Sequence, residues 1–463
     1  MSYSKTSFVS INPTTEEIVC EVPMDTKQEV QAKLELSLKT YNEYWKDTTF
    51  EQRADILNKV AAEMRANLDE YAIPMTLEMG KPIKEARAEV EKSAWCAEHY
   101  AKYAKSYLKQ DNIESDATLS YVQYLPLGPT LGILPWNAPF WLAFRYIAPA
   151  LMAGNTCVMK HDSHTPKCAE VIVQAFTKAG AHEGILQNLT IASSDVESVM
   201  RHPIITAISF TGSVGTGSKI GAIAGSEIKP CVLELGGSDP AIVLSDADLE
   251  SAADIISLSR MINAGQSCIA AKRIIVEEPI YDEFIEMLKV RFERLKMGDP
   301  MDESTDIGPI ARKELVHEMH QQVKRSIDAG AKLVLGGKEY TGKGYFYPAT
   351  LLVDVNPGMV VSCQETFGPI GVVIKAKNAE EALKIANDTE FGLGASVWTD
   401  VKRGEEIARK IVSGQVSVNG IVKTDPRLPS GGVKKSGLGR ELGPHGIKMF
   451  VNAQQIWIGP KKG

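Results

Sequence analysis

A chain of 463 residues has room for two to four domains at ~150 residues each, and its net charge of −7, with 24% charged and 44% hydrophobic residues, is that of a soluble globular protein. An acidic balance without a Lys/Arg-rich block argues against a nucleic-acid or anionic-membrane binder. Seven cysteines, at 20, 96, 157, 168, 231, 268 and 363, form no Cys-x-x-Cys pair, so neither a zinc site nor a disulfide framework is signalled.

The start, Met1 to Ser7, lacks the apolar core of a signal peptide. The N-terminal third reads as helical. Asp25 with Gln28 makes a capping box, and Val30, Leu34, Leu38, Tyr41 and Trp45 recur at helical spacing. A second helix carries Ile56, Leu57, Val60, Ala61 and Met64, and a third runs from Met79 to about Leu108, past the Gly80-Lys-Pro82 interruption. Thr118 to Leu125 alternates and is aromatic, as an exposed strand or hairpin would be. Short apolar runs then alternate with helical segments. The runs are Leu131–Leu134, Thr156–Met159, Leu189–Ile191, Ala207–Phe210 and Cys231–Leu235; the helices fall at about 142–153, 166–180 and 214–224. Such alternation implies right-handed crossovers and a parallel sheet. A second alternating block has strands near 241–244, 272–276, 332–335, 370–375, 394–398 and 415–418, so two α/β domains meet near Gly236-Gly237. The most apolar stretch, Pro139 to Met159, is broken by Arg145, Asn155 and prolines, and nothing is expected to span a membrane. The tail from Gly431 to Gly443 reads as a loop. A cytoplasmic protein is expected.

Four segments carry chemistry. Phe210-Thr-Gly-Ser-Val-Gly-Thr-Gly217 leaves a strand and opens a helix, where backbone N–H groups can hold a phosphate. It matches neither the G-x-G-x-x-G nor the P-loop spacing, which disfavours a kinase or ATPase; a plain tight turn stays open. Cys268, in Asn263-Ala-Gly-Gln-Ser-Cys268, is either a buried hydrophobe or a nucleophile without a histidine base. Glu234 interrupts the apolar run Cys231-Val-Leu-Glu-Leu-Gly-Gly237, as a strand-end general base or as an edge-strand residue facing water. Asn137, in Pro135-Trp-Asn-Ala-Pro139, is an amide donor framed by prolines, for an oxyanion or for a turn.

Together with Lys160, Glu365-Thr-Phe-Gly-Pro369 and Gly432-Val-Lys-Lys-Ser-Gly-Leu-Gly-Arg-Glu441, these segments occur in the order and spacing of the aldehyde dehydrogenase superfamily, which the chain resembles over essentially its whole length. Within it the chain is most similar to the bacterial succinate semialdehyde dehydrogenases. The resemblance implies an α/β fold with a Rossmann-like dinucleotide-binding domain (1–112 and 130–237), a catalytic domain (238–430), and an oligomerisation element with C-terminal loop and strand (113–129 and 431–463). It implies NAD(P)-dependent oxidation of succinate semialdehyde, with Cys268 as nucleophile, Glu234 as general base, and Asn137 with the Cys268 N–H as oxyanion hole. No metal is implied.

The resemblance assigns Trp136, Asn137 and Leu235 to the nicotinamide side and Lys160, His161, Asp162 and Ser163 to the adenosine ribose. Gly212 and Ser213 would meet the pyrophosphate, and Glu365 and Phe367 the nicotinamide ribose and its surroundings. Relatives that use NAD often carry Lys-Pro-x-Glu where this chain has Lys160-His-Asp-Ser163, so NADP is expected to be accepted alongside NAD. Arg145 and Arg427 would hold the distal carboxylate of the aldehyde. Two positions depart from the relatives: Ile262 stands where some have arginine, and Ser430 where phenylalanine is usual. Broader aldehydes, a coenzyme A-acylating relative, a catalytically silent relative and a cysteine acyl-transferase without nicotinamide are the alternatives. A homodimer or homotetramer is expected, since an exposed strand needs a partner edge.

Overall fold

The computed structural model describes residues 6–460; residues 1–5 and 461–463, at the two ends of the expected domain scheme, lie outside the described residues. Two parallel sheets organise the chain. The first holds six strands in the spatial order Gly437–Leu438, Cys231–Glu234, Ala207–Thr211, Thr130–Ile133, Cys157–Lys160 and Leu186–Asn188. The second holds seven, in the order Lys332–Leu335, Thr350–Val353, Ile370–Ala376, Arg273–Glu277, Pro240–Val243, Gly394–Trp398 and Gln415–Val418. Within each sheet all neighbours run parallel except the first-named strand, which is antiparallel. Strands such as Thr130–Ile133 and Pro240–Val243 are buried along their whole length, which is why they read as unbroken apolar runs.

Helices cover both sheets. The helix Pro139–Met152 is buried on every side, between the first sheet and the N-terminal helices Phe50–Ala66 and Ile83–Tyr107. Ala104, Ala97, Ala94, Val90 and Ala86 pack from the last of these into the same core. Among the described residues no helix is long and apolar enough to cross a membrane. A third sheet stands apart, with Ala117–Pro126 between Asp111–Asn112 and Val451–Pro460. Its outer strand Val451–Pro460 is mostly exposed, including Trp457 and Ile458.

Several sequence expectations shift. The capping box of the first helix is Thr26 with Glu29, not Asp25 with Gln28: Thr26 Oγ1 accepts from the Glu29 N–H at 3.2 Å and Glu29 Oε2 from the Thr26 N–H at 2.7 Å. Asp25 is engaged elsewhere, by Lys33 Nζ at 2.7 Å and the Thr190 N–H at 2.8 Å. The stretch Ser7–Ile11 and Ile18–Pro23 is a hairpin rather than helical lead-in, turned by Asn12, whose Oδ1 accepts from the Thr14 N–H at 2.8 Å. Leu68–Met79 is a helix of its own, and Thr350–Val353 is a buried strand too short to stand out in the sequence. The strand expected at 189–191 is Leu186–Asn188. Within the glycine-rich tail, Gly437–Leu438 pairs with Cys231–Glu234, with Gly437 opposite Glu234.

Candidate active site

In the first sheet the strand order reverses between Thr130–Ile133 and Ala207–Thr211. At such a point the two following loops diverge to opposite faces and leave a crevice at the carboxyl ends of the strands. Those loops are Leu134–Ala138 and Gly212–Ser213, and both line a cavity of about 580 Å³, within the range of small-molecule sites. The link 235–239 carries the chain from the end of the first sheet to the start of the second, and the Cys268 loop immediately precedes the amino end of strand Arg273–Glu277. The cleft therefore lies between the carboxyl end of one sheet and the amino end of the other.

Cys268 is partly buried on the wall of this cavity. Its loop is held by an unusual turn: Asn263, Ala264 and Gly265 all have left-handed φ, at 55°, 51° and 73°. A side chain on Gly265 would collide with the Gly368 carbonyl. Buried Arg260 ties this turn to the 365–368 loop, donating to the carbonyls of Gly265 at 2.8 Å and of Gly368. Lys272, fully buried, donates to the carbonyls of Ser267 at 2.8 Å and Cys268 at 2.6 Å and pairs with Glu365 at 3.2 Å. Burial pushes the Cys268 thiol up to about 11, against the opposing pull of the Lys272 and Arg145 cations. The resting group is the thiol.

Asn137 lines the cavity beside Cys268, and its Nδ2 donates to the Gln266 carbonyl at 3.2 Å. Its backbone carbonyl is fastened by Asn263 Nδ2 at 2.9 Å and Lys81 Nζ at 3.0 Å. Lys81 is itself paired with buried Glu89, whose other oxygen accepts from the N–H groups of Phe140 and Trp141 at 2.9 and 3.1 Å. That carboxylate caps the helix beginning at Pro139, whose first N–H groups would otherwise lack partners.

Glu234 does not face water. It sits 3% exposed at the end of its strand, and its Oε2 pairs with Arg145 Nη2 at 3.1 Å. The same nitrogen pairs with Glu441 Oε2 at 2.6 Å. Two carboxylates thus share one guanidinium, with Ser209 Oγ donating to Glu441 Oε1 at 3.1 Å. Burial pushes Glu234 up to about 7; Arg145 pulls it down and Glu441 raises it. Gly431, at φ 139°, leaves room for this side chain, since a Cβ there would stand 2.6 Å from Glu234 Oε1.

The remaining expected residues divide. Trp136, Gly212, Ser213, Leu235, Glu365 and Phe367 line the cavity with Cys268. Trp136 and Phe367 meet edge to face at 5.8 Å, and Ser213 caps the helix Val214–Ser226, whose N-terminus favours an anion. Gly236 lies so close to Glu365 that any Cβ would strike its carboxylate. These features fit a dinucleotide laid across the sheet edge. Lys160 ends a neighbouring strand of the same sheet and His161 through Ser163 follow it, outside the cavity lining. Among them His161 is a correction. It is buried, its Nε2 lies 3.1 Å from the Pro139 carbonyl, and burial lowers it to about 4, so it is a neutral packing residue. Asp162 turns to His164, whose ring and backbone hydrogen bonds hold its carboxyl at about 2 although burial alone would raise it.

Of the two arginines, only Arg427 is a correction. Arg145 lines the cavity with its guanidinium 2% exposed; Glu234 and Glu441 both bond its Nη2, and its Nε is buried without a hydrogen-bond partner among the described residues, so the guanidinium keeps a free donor. Arg427 is exposed, paired with Asp425 at 2.6 Å, stacked over Trp95 at 5.4 Å, and outside the cavity lining.

The aldehyde dehydrogenase family model matches residues 1–456. The chain belongs to the aldehyde dehydrogenase family. This aldehyde dehydrogenase is 44% identical over 453 residues to a probable NADP(+) succinate-semialdehyde dehydrogenase of Synechocystis, covering 98% of this chain and 100% of the relative. It is 43% identical to an NADP(+) succinate-semialdehyde dehydrogenase of Mycobacterium tuberculosis, covering 97% and 99%. Among solved structures it resembles the succinic semialdehyde dehydrogenase of Streptococcus pyogenes in complex with NADP+, with TM-score 0.95 and 35% identity over 98% of this chain and 100% of that one. Sequence reasoning missed Lys272, Arg260, Glu441 and the Lys81–Glu89 pair of this aldehyde dehydrogenase. Glu441 stood inside a motif with no role attached, and buried lysines and arginines look like surface residues until the fold encloses them.

Proposed function

We propose that this aldehyde dehydrogenase oxidises succinate semialdehyde to succinate with NADP(+), using Cys268 as nucleophile, Asn137 as oxyanion donor and Glu234 as base. The observation that carries the reading is the placement of Cys268 on the wall of a cavity shared with Asn137 and the Gly212–Ser213 turn, backed by the buried Glu234–Arg145–Glu441 cluster. Because the thiol is the resting form, its proton must leave as sulfur bonds to the aldehyde carbon. Glu234, with a carboxyl near neutrality, is the acceptor. The aldehyde oxygen becomes an alkoxide held by Asn137 Nδ2 and the Cys268 N–H, for which no acceptor occurs among the described residues. A bound dinucleotide would supply the hydride acceptor, and loss of hydride from that carbon would leave Cys268 as a thioester. Glu234, having released the thiol proton to solvent, then draws a proton from water as the water oxygen attacks the thioester; the carbon–sulfur bond breaks and the leaving sulfur takes that proton from Glu234 as the thiol returns. To meet the water, the carboxylate must swing away from Arg145.

Trp136, Gly212, Ser213, Leu235, Glu365 and Phe367 would hold the dinucleotide. NADP(+) is favoured by Lys160, whose ammonium pairs with no carboxylate among the described residues, and by Asp162 being turned to His164. The names of the relatives agree with this choice. The exposed strand Val451–Pro460 with Ala117–Pro126 is proposed as the contact between subunits of a homodimer or homotetramer. A panel of carboxylated and neutral aldehydes, run with both dinucleotides and with and without coenzyme A, tests the function. The expected result is coenzyme A-independent reduction of NADP(+) with succinate semialdehyde, lost in Cys268→Ala. A more than hundredfold preference for NAD, or full turnover by Cys268→Ala, would overturn the corresponding assignment.

A further inference from the structure

The cations that line the cavity differ in what they already hold. Arg145 bonds Glu234 and Glu441, Lys81 pairs with Glu89, and Lys272 donates to two backbone carbonyls and to Glu365. Lys92 lies over Trp141 and donates to Thr424 Oγ1 at 3.0 Å. Arg312 is different. Among the described residues it makes no ion pair and no side-chain hydrogen bond, and its Nε is buried without a partner. Its guanidinium lies over the Trp136 ring, 5.7 Å from the centre, and Trp136 in turn meets Phe367 edge to face. Arg312 is also the N-cap of the helix Lys313–Asp328, and Leu315 and Glu318, at successive turns of that helix, line the cavity with it. The helix macrodipole opposes a cation at this end and favours an anion. Five guanidinium donors and the start of a helix thus share one stretch of wall with no anion supplied by the described residues.

We propose that Arg312 is a further dinucleotide-binding residue, its guanidinium pairing with the phosphate that carries the nicotinamide ribose. This rests on the dinucleotide reading above and extends it to a residue outside the motifs that carry the family resemblance. A dinucleotide brings a negative charge on each phosphate of its bridge. The Gly212–Ser213 turn and the start of helix Val214–Ser226 meet such charge with backbone N–H groups and a partial dipole only. Arg312 adds a full positive charge, and it does so beside Trp136 and Phe367, which line the nicotinamide side. The indole face holds the guanidinium plane in place before the ligand arrives, so little side-chain freedom is lost when the fork closes on phosphate oxygens. Charge-assisted bonds of that kind are about twice as strong as neutral ones.

The test measures binding without turnover. NADPH and NADH are titrated by fluorescence into wild type, Arg312→Met and Arg312→Lys, and the adenosine-side fragments 2′,5′-ADP and 5′-AMP, which lack the nicotinamide-side phosphate, are titrated as competitors. Arg312→Met should raise the Kd of both dinucleotides on the order of 10–100-fold and leave both fragments within about twofold of wild type. Arg312→Lys, which keeps the charge without the planar fork, should fall between the two. Dinucleotide Kd values within about twofold of wild type in Arg312→Met overturn the proposal. So does an equal weakening of dinucleotides and fragments, which a general disturbance of the site would give, and so does a loss confined to NADPH, which would place Arg312 on the 2′-phosphate. If Arg312→Met unfolds, Arg312→Gln removes the charge with a polar side chain in its place and carries the same comparison. A wild type that binds neither NADPH nor NADH overturns the dinucleotide reading instead, which keeps the two failures apart.

Discussion

Replacing Glu441 with glutamine removes one of the two carboxylates that share the Arg145 guanidinium, and the effect is read at Glu234. The two acids bond the same nitrogen at 3.1 and 2.6 Å, so they stand within about 6 Å of each other. At an effective dielectric of ~20 their repulsion is about 3 kcal/mol, or about two pKa units on the proton affinity of Glu234. Glutamine keeps an oxygen able to accept from Ser209, so the cluster loses charge rather than shape. Glu234 acts as a base only when ionised, and its carboxyl in the native enzyme sits at about 7, so thioester hydrolysis is lost as pH falls through that value. Glu441→Gln should therefore carry the acidic limb downward, to between about pH 5 and 6. Pre-steady-state kinetics separate the hydride burst from the hydrolytic steady state, and the steady-state rate is followed from acid to alkaline pH. An acidic limb that stays in place, or that moves upward, would refute the shared-guanidinium account.

Three further outcomes follow from the same geometry. Gly265→Ala forces a side chain into a left-handed turn against the Gly368 carbonyl, and should cost roughly 1–3 kcal/mol of stability with a large loss of turnover, measured by denaturant melts and assay. Arg145→Met takes the shared cation from two buried carboxylates; a loss of about 3–5 kcal/mol is expected in denaturant melts, a loss of turnover selective for carboxylated aldehydes would mark the arginine as their ligand, and an equal loss on neutral ones would rule that out. Glu234→Gln should abolish hydrolysis and yet raise the melting temperature at pH 8. Its carboxyl is raised from 4.5 to about 7 on folding, so the stabilising protonated form is complete below the first value and lost on passing the second. The gain should disappear on acidifying toward pH 5, and scanning calorimetry at both pH values checks it.

The alternation of buried strands and amphipathic helices was legible because each element writes its own period into local sequence. Strand Cys231–Glu234 and helix Val214–Ser226 fall within a few residues of their expected ends for that reason. The hairpin Ser7–Ile11 with Ile18–Pro23 and the strand Thr350–Val353 were not legible, being short segments whose only support is a partner elsewhere in the chain. Chemistry followed the same rule. Cys268, Glu234 and Asn137 were conspicuous as reactive or polar side chains in glycine-, proline- or apolar-framed loops and strand ends.

Sequence alone therefore determined most of the longer elements and which side chains have the chemistry to react, since both depend on residue type and near neighbours. Tertiary structure alone decided what the charges do. Glu441 is brought beside Arg145 only when the C-terminal tail pairs with the strand carrying Glu234. Burial then turns that arginine into the anchor of a base and His161 into neutral packing. A charge has no fixed role along the chain: its solvent, its counter-ion and its proton affinity are all supplied by residues that only folding brings within a few ångströms.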